Sequence, residues 1–258
     1  MLLSPLRYIN PISGNRGGSA VFSIAKSFYL DGVNEYFNAD DVLPLLSTTT
    51  KGTWLFSLKN ITTANFQDII VFADSASPLN AVYCYISNIG KITFRSFVAG
   101  AEKFRVETTS TTLLNDGLFH TLAFIQDGVN PRILVDGVLI AQTTPAAVDK
   151  TVWFNDFSTL DNVRIGAAKF NGIAEQFFYN GYINQIGFFN DDLSNEEVLN
   201  WHNENKPKNV TSIRNCVENF NPDNSGDTSQ FTVIGDVNAS NFTSVNMEDA
   251  DKTTETPY

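Results

Sequence analysis

The dipeptide Asp136-Gly137, set between the apolar runs Ile133–Val135 and Val138–Ala141, constrains the fold of this chain more than any other feature. An Asp-Gly pair between strand formers favours a two-residue turn with positive φ at both positions, and the hand of that turn matches the twist of a β-hairpin. The preceding apolar run ends in a second Asp-Gly pair at 127–128. Leu118–Gln142 therefore reads as a three-stranded antiparallel meander.

Around it the runs GTWLFSLK (52–59), DIIVFA (68–73), AVYCYIS (81–87), KITFRSF (91–97) and KFRVET (103–108) recur, each bounded by Asn, Gly, Pro or Ser. Short strands at roughly ten-residue spacing indicate an all-β sandwich or barrel. Trp54, Phe56 and Leu58 alternate, as in a strand with one buried face. NVRIGA (162–167) and YINQIGFF (182–189) supply two more strands. The one helical signal is Ser194–Asn203, where Ser194 and Glu197 form a capping box and Glu196 complements the helix dipole.

Domain organisation follows from composition. Residues 1–19, with Pro5, Pro11, Gly14, Gly17 and Gly18, suit an extended N-terminal arm, and 20–204 form the sandwich. Residues 205–258 read as a C-terminal extension with weak strands, ending in a polar, acidic and disordered tail at 247–258. With 43% hydrophobic residues and 21 Phe, the chain has ample material for a core.

The net charge of −11 repels phosphate backbones and anionic membranes, which excludes nucleic acid as an expected partner. No run approaches the length of a membrane span, and Pro5 and Arg7 interrupt any signal-peptide core. Without an export signal, the triplets at Asn60, Asn209, Asn238 and Asn241 are read as chance rather than glycosylation sites. Cys84 and Cys216 lack metal-knuckle spacing and are read as two free buried thiols.

Taken in order, FYLDGVNEYF (28–37), GTWLFSLK, DGLFHTLAFIQDG (116–128), ILVDGVLIA (133–141), NVRIGA and NGYINQIGFFNDDLSNEEV (180–198) resemble the concanavalin A-like, laminin G-like jelly-roll superfamily over residues 20–204. The resemblance implies an antiparallel two-sheet jelly-roll sandwich with one short C-terminal helix. Two departures stand out: Asn184-Gln185 replaces an acidic pair, and Phe119 replaces the Trp before His120. The chain is also similar to lone domains of this type in tailed-phage virion proteins, which implies a decoration or fibre role and other capsid or tail proteins as partners.

Catalysis finds little support. The Glu-x-Asp-x-x-Glu strand of glycoside hydrolases with this fold is missing, as are Gly-x-Ser-x-Gly and a phosphate-loop ending to GNRGGSA (14–20). Glu102, Glu107, Glu196 and Glu197 form no inward carboxylate pair in this reading. His120 is expected to be structural and His202 to sit on the surface. No cofactor is required, but calcium suits the oxygen-rich loop holding Asp156, Asp161, Asn162 and Asn171, with Asp127 and Asn130 in another; turn formation is the plainer role for all of them. Trp153, Phe154, Phe157, Phe177 and Tyr179 lie outside the strand pattern, where they could stack on sugars or pack in a core or subunit interface.

The expectation that follows is a non-enzymatic virion structural protein, made in the host cytoplasm, with terminal extensions docked on the particle and self-association into a homo-oligomer left open. Its alternative is a carbohydrate-binding lectin module that recognises surface glycans, and a glycoside hydrolase ranks third.

Overall fold

The computed structural model describes residues 22–76, 79–226 and 231–258; the arm expected over 1–19 lies outside them. In chain order the first strands are β1 (Ser27–Asp31), β2 (Tyr36–Asn38), β3 (Gly52–Asn60), β4 (Gln67–Ala73), β5 (Ala81–Ile86), β6 (Ile92–Val98), β7 (Ala101–Thr108) and β8 (His120–Gln126). There follow β9 (Arg132–Val135), β10 (Val138–Leu139), β11 (Gln142–Ala147), β12 (Asn162–Ile165), β13 (Asn180–Phe189), β14 (Cys216–Phe220), β15 (Thr232–Ile234), β16 (Asn241–Val245) and β17 (Lys252–Thr253). A four-residue helix α1 (Leu43–Leu46) follows β2, and α2 (Asn195–His202) follows β13.

Among the described residues these strands form two antiparallel sheets, the expected sandwich. One has eight strands in the order β10-β9-β8-β3-β13-β1-β17, with β14 also on β13; the other has nine, in the order β11-β7-β6-β5-β4-β12-β2-β16-β15. Alternate residues of each strand meet between the sheets, where Trp54, Phe56, Phe72, Phe94, Phe124 and Phe188 are fully buried. Most pairs of these rings meet edge-on or tilted, and each such pair adds about 0.5–1.5 kcal/mol beyond area burial.

The Asp136-Gly137 turn forms as its composition predicts, with φ of 52° and 74°. A Cβ on Gly137 would lie 2.8 Å from the Leu199 Cα, so glycine also lets α2 approach the hairpin. The meander itself is shorter than expected. Its third run supplies only β10, after which the chain crosses to the other sheet and pairs as β11 with β7. β3 also departs from a half-buried strand. Leu55 on its outer face is covered by Val198 and Trp201 of α2, whose Ser194 cap accepts the Glu197 N–H at 3.2 Å.

The segment 205–258 is not a loose extension. β14 pairs with β13, β16 with β2 and β17 with β1, so both sheets are completed by C-terminal residues. The tail expected to be disordered carries β17 and a 3-10 turn at Asp249–Asp251, and the Tyr258 hydroxyl donates to the Pro207 carbonyl at 2.6 Å. One buried side chain organises this region. Glu218 accepts the Asn219 and Val237 N–H groups on Oε1, and those of Asn238 and Ser240 on Oε2. Its carboxylate fills the space beside Gly235, where a Cβ would meet it at 2.2 Å. The amides that replace an acidic pair on β13 also tie down distant chain: Asn184 donates to the Lys26 carbonyl, and Gln185 accepts from the Val210 N–H.

Candidate functional site

On the nine-stranded sheet, the face turned away from the core is apolar and aromatic. Val71 and Ala73 of β4, with Tyr83 and Tyr85 of β5, form a buried cluster with Ala168, and Phe97 of β6 and Phe170 pack on it. Ala168 and Phe170 belong to a loop, 166–179, laid across this face. The rings run in a line. Phe177 to Phe66 is 6.4 Å between centroids, Phe66 to Tyr85 6.0 Å, Tyr85 to Tyr83 5.7 Å and Tyr83 to Phe97 6.5 Å.

At the Phe177 end this line opens into a cleft of about 390 Å³, walled by Phe66, Phe177 and Phe178 and floored by Gln67 and Asn180. Gln67 holds three pieces of chain together. Its Oε1 accepts the Asn180 N–H at 2.7 Å, its Nε2 donates to the Thr62 carbonyl, and Asn180 Nδ2 donates to the Asp31 carbonyl at 2.7 Å. Next to it, a β-bulge between Asp68 and Ile70 frees the Asp68 N–H to bond the Phe177 carbonyl at 2.8 Å. That bond holds Phe177 at φ +57°, a left-handed conformation that costs a bulky side chain about 1–3 kcal/mol. The ring is 42% exposed and meets Phe66, itself 44% exposed, edge-on.

Polar groups are ready at the rim. The side-chain amides of Asn65 and Asn88 line the cleft in exposed positions, while Asn180 Oδ1, buried beneath them in the floor, has no partner among the described residues. The Asp68 carboxyl is buried beneath the aromatic face, and that burial raises its pKa well above the usual carboxylate range. Charged groups flank this line on both sides: next to β4, Arg164 of β12 pairs with Asp40 at 2.9 Å and Glu175 at 3.4 Å, and Lys169 with Glu175 at 3.5 Å, and others stand on and beside β6 and β7. There Arg95 pairs with Glu102 at 2.5 Å, Arg105 with Glu102 and Glu107 at 3.3 Å each, and Lys91 with Glu107 at 3.3 Å.

Most of the aromatics picked out in the sequence are core residues. Trp153, Phe154 and Tyr179 are 0%, 1% and 0% exposed, and Trp153 packs on Trp54 at 5.2 Å and Phe154 at 4.9 Å. Phe157 is partly buried against the same core. They cannot reach a ligand without unfolding their surroundings, and of the five only Phe177 is exposed. Phe66 carries no signal in the sequence, because a single ring after the polar stretch Thr62–Asn65 has no periodicity to mark it.

The oxygen-rich loop residues divide between two places. Asp161, Asn162 and Asn171 gather at the end of β4, where Asp161 accepts the Ser75 N–H and hydroxyl and an Asn162 Nδ2 donor, and the Asn171 N–H bonds the Asp74 carbonyl. Asp156 lies instead beside Asp127 in another depression, its carboxylate accepting the Trp153 N–H at 2.9 Å. Among the described residues, no group of three or more His, Cys, Asp or Glu side chains is placed to hold a metal.

The histidines are both structural. His120 bridges Asp136 (2.8 Å) and Asp116 (2.9 Å). Burial pulls its pKa down, but bonds to the two carboxylates outweigh burial and raise it above 6.5. His202 is not the surface residue expected. It is 7% exposed and bonds the Thr121 hydroxyl at 2.8 Å, linking α2 to β8, and burial lowers its pKa.

The strand order and register now meet comparison with known proteins. A laminin G-type family profile, described as the concanavalin A-like lectin/glucanases superfamily, matches residues 28–199. The chain belongs to this superfamily. Its concanavalin A-like fold is similar to the CBM40 domain of the Ruminococcus gnavus IT-sialidase solved with α2,3-sialyllactose, at 16% identity, TM-score 0.55, 69% of this chain and 98% of that one. A Bacteroides ovatus protein with a provisional carbohydrate-binding assignment matches at 13% identity and TM-score 0.59, over 91% of this chain and 60% of that one. The leech intramolecular trans-sialidase matches at 21% identity and TM-score 0.55, over 69% and 27%. At these identities the likeness is one of concanavalin A-like fold alone. No curated protein matches this superfamily member in sequence.

Proposed function

We propose that this protein is a non-catalytic carbohydrate-binding module that stacks a sugar ring on the exposed surface of Phe66 and Phe177, two rings that meet edge-on. The observation that carries the reading is Phe177 itself: a large apolar ring, 42% exposed on a left-handed backbone, sits edge-on beside a second exposed ring over a cleft with unengaged amides. Exposed apolar faces edged by hydrogen-bonding groups suit the alternating apolar and hydroxyl surfaces of a sugar. The carbohydrate-binding neighbours in the superfamily support this reading. Glu102 and Glu107 lie together on β7, but their pairing with Arg95, Arg105 and Lys91 fits a structural role better than hydrolysis.

The test is a glycan array followed by calorimetry on the binding sugars, with Phe66→Ala and Phe177→Ala variants. Each substitution is expected to weaken binding by at least about ten-fold, the equivalent of about 1.4 kcal/mol. Binding unchanged in both variants would remove the cleft from consideration. Display of such a module on a virus particle, the finer expectation from the sequence, is compatible with this chemistry and is tested by mass spectrometry of purified particles.

A further inference from the structure

Resting on the reading of the Phe66–Phe177 cleft as a sugar site, we infer that its ligand is an uncharged glycan rather than an acidic one. None of the side chains lining the cleft is ionisable; they are aromatic, amide, hydroxyl or aliphatic. A carboxylate or sulfate placed there would lose water and gain no cation, which is among the costliest ways to bury a charged group. The chain's net charge of −11 adds a repulsive field for any anion.

The cations on this face do not change the balance: Arg164, over Tyr36 beside Phe178, is held by Asp40 and Glu175, and Lys169 by Glu175. Tyr85 and Tyr83 separate the cleft from Arg95, whose guanidinium lies 4.5 Å over the Phe97 ring and bonds Glu102. Arg105 and Lys91 also hold resident carboxylates. An acidic sugar reaching them would have to displace a bonded glutamate. Neutral sugars are served better. The amides of Asn65 and Asn88 each offer both donor and acceptor, which matches hydroxyl groups that donate and accept at once. Fold likeness to a domain solved with sialyllactose carries no ligand across at 16% identity.

The experiment is an array of matched pairs probed with the full chain: lactose with 3′-sialyllactose, N-acetyllactosamine with its 6-sulfated form, and cello-, xylo- and manno-oligosaccharides with oligogalacturonates. Neutral members are expected to bind, with affinity changing less than about two-fold between 50 and 500 mM salt because no ion pair is screened. The double variant Asn65→Ala/Asn88→Ala is expected to weaken binding about ten-fold, the loss of two hydrogen bonds. Arg95→Gln is expected to leave it unchanged. Preference for an acidic member that is lost in Phe66→Ala would overturn the inference and keep the cleft. Preference for an acidic member lost in Arg95→Gln but kept in Phe66→Ala would overturn both, as would a folded protein that binds no glycan in the array.

Discussion

Replacing Glu218 by Gln is the sharpest probe of how the segment 205–258 is held. The carboxylate is fully buried and accepts the N–H groups of Asn219, Val237, Asn238 and Ser240 at 2.9–3.1 Å. A glutamine of the same shape must turn its NH2 toward one pair of these donors, leaving one buried N–H (Asn219 or Ser240) and one part-buried N–H (Val237 or Asn238) without an acceptor. Each costs about 1–3 kcal/mol, which places Glu218→Gln at roughly 2–6 kcal/mol, centred on about 4. In a chain of this size each kcal/mol moves Tm by about 2–4 °C, so a fall of roughly 8–16 °C is expected. Thermal and urea unfolding measure the total, and hydrogen exchange at 237–240 shows whether the loss begins there. A Tm within about 2 °C of wild type would refute the claim that this carboxylate organises the 235–240 turn.

Three further outcomes are expected. His120 has a raised pKa, so its contribution to stability is complete below pH 6.5 and is lost as pH rises through the folded-state value. His202 has a lowered pKa and acts in the opposite sense, its contribution present above pH 6.5 and lost on acidification. Urea midpoints measured against pH should show the alkaline decline in wild type and not in His120→Gln; equal slopes would count against the Asp116–His120–Asp136 bridge. Trp153→Ala should cost about 3–5 kcal/mol by leaving a cavity against Trp54 and Phe154, readable in urea unfolding, while a loss of glycan affinity without that destabilisation would contradict its place in the core. Millimolar calcium should leave Tm unchanged, since Asp161 and Asp156 already satisfy protein donors; a rise of several degrees that disappears in Asp161→Asn would show otherwise.

What the sequence revealed was local. The Asp136-Gly137 turn is encoded by two residues whose positive φ needs no distant partner, and the Ser194–Glu197 cap is complete within one turn of helix. Features that depend on remote chain were hidden. His202 looks like a surface residue on a short helix until β8 brings Thr121 to it. Trp153 sits in a loop by its neighbours in sequence and in the core by its neighbours in space. The composition of 205–258 suggested an extension with only weak strands because Glu218 serves backbone donors that no pattern announces. Of the candidate cleft, Phe177 was visible as an aromatic outside the strand pattern, but its strain comes from the Asp68 bulge on another strand.

The pairing of β1 with β17 and of β2 with β16 bears on how the molecule is made. Ser27 meets Thr253 and Tyr36 meets Val245, so β1 and β2 wait during synthesis for strands far downstream before their sheets are complete. Pairings this remote in sequence slow folding and lengthen the time that strand edges and apolar faces stay open to other chains. During synthesis β1 and β2 remain unsatisfied edges. Crowded expression should therefore favour aggregation of nascent chains over that of the finished protein, and a chaperone that covers these edges should raise the soluble yield.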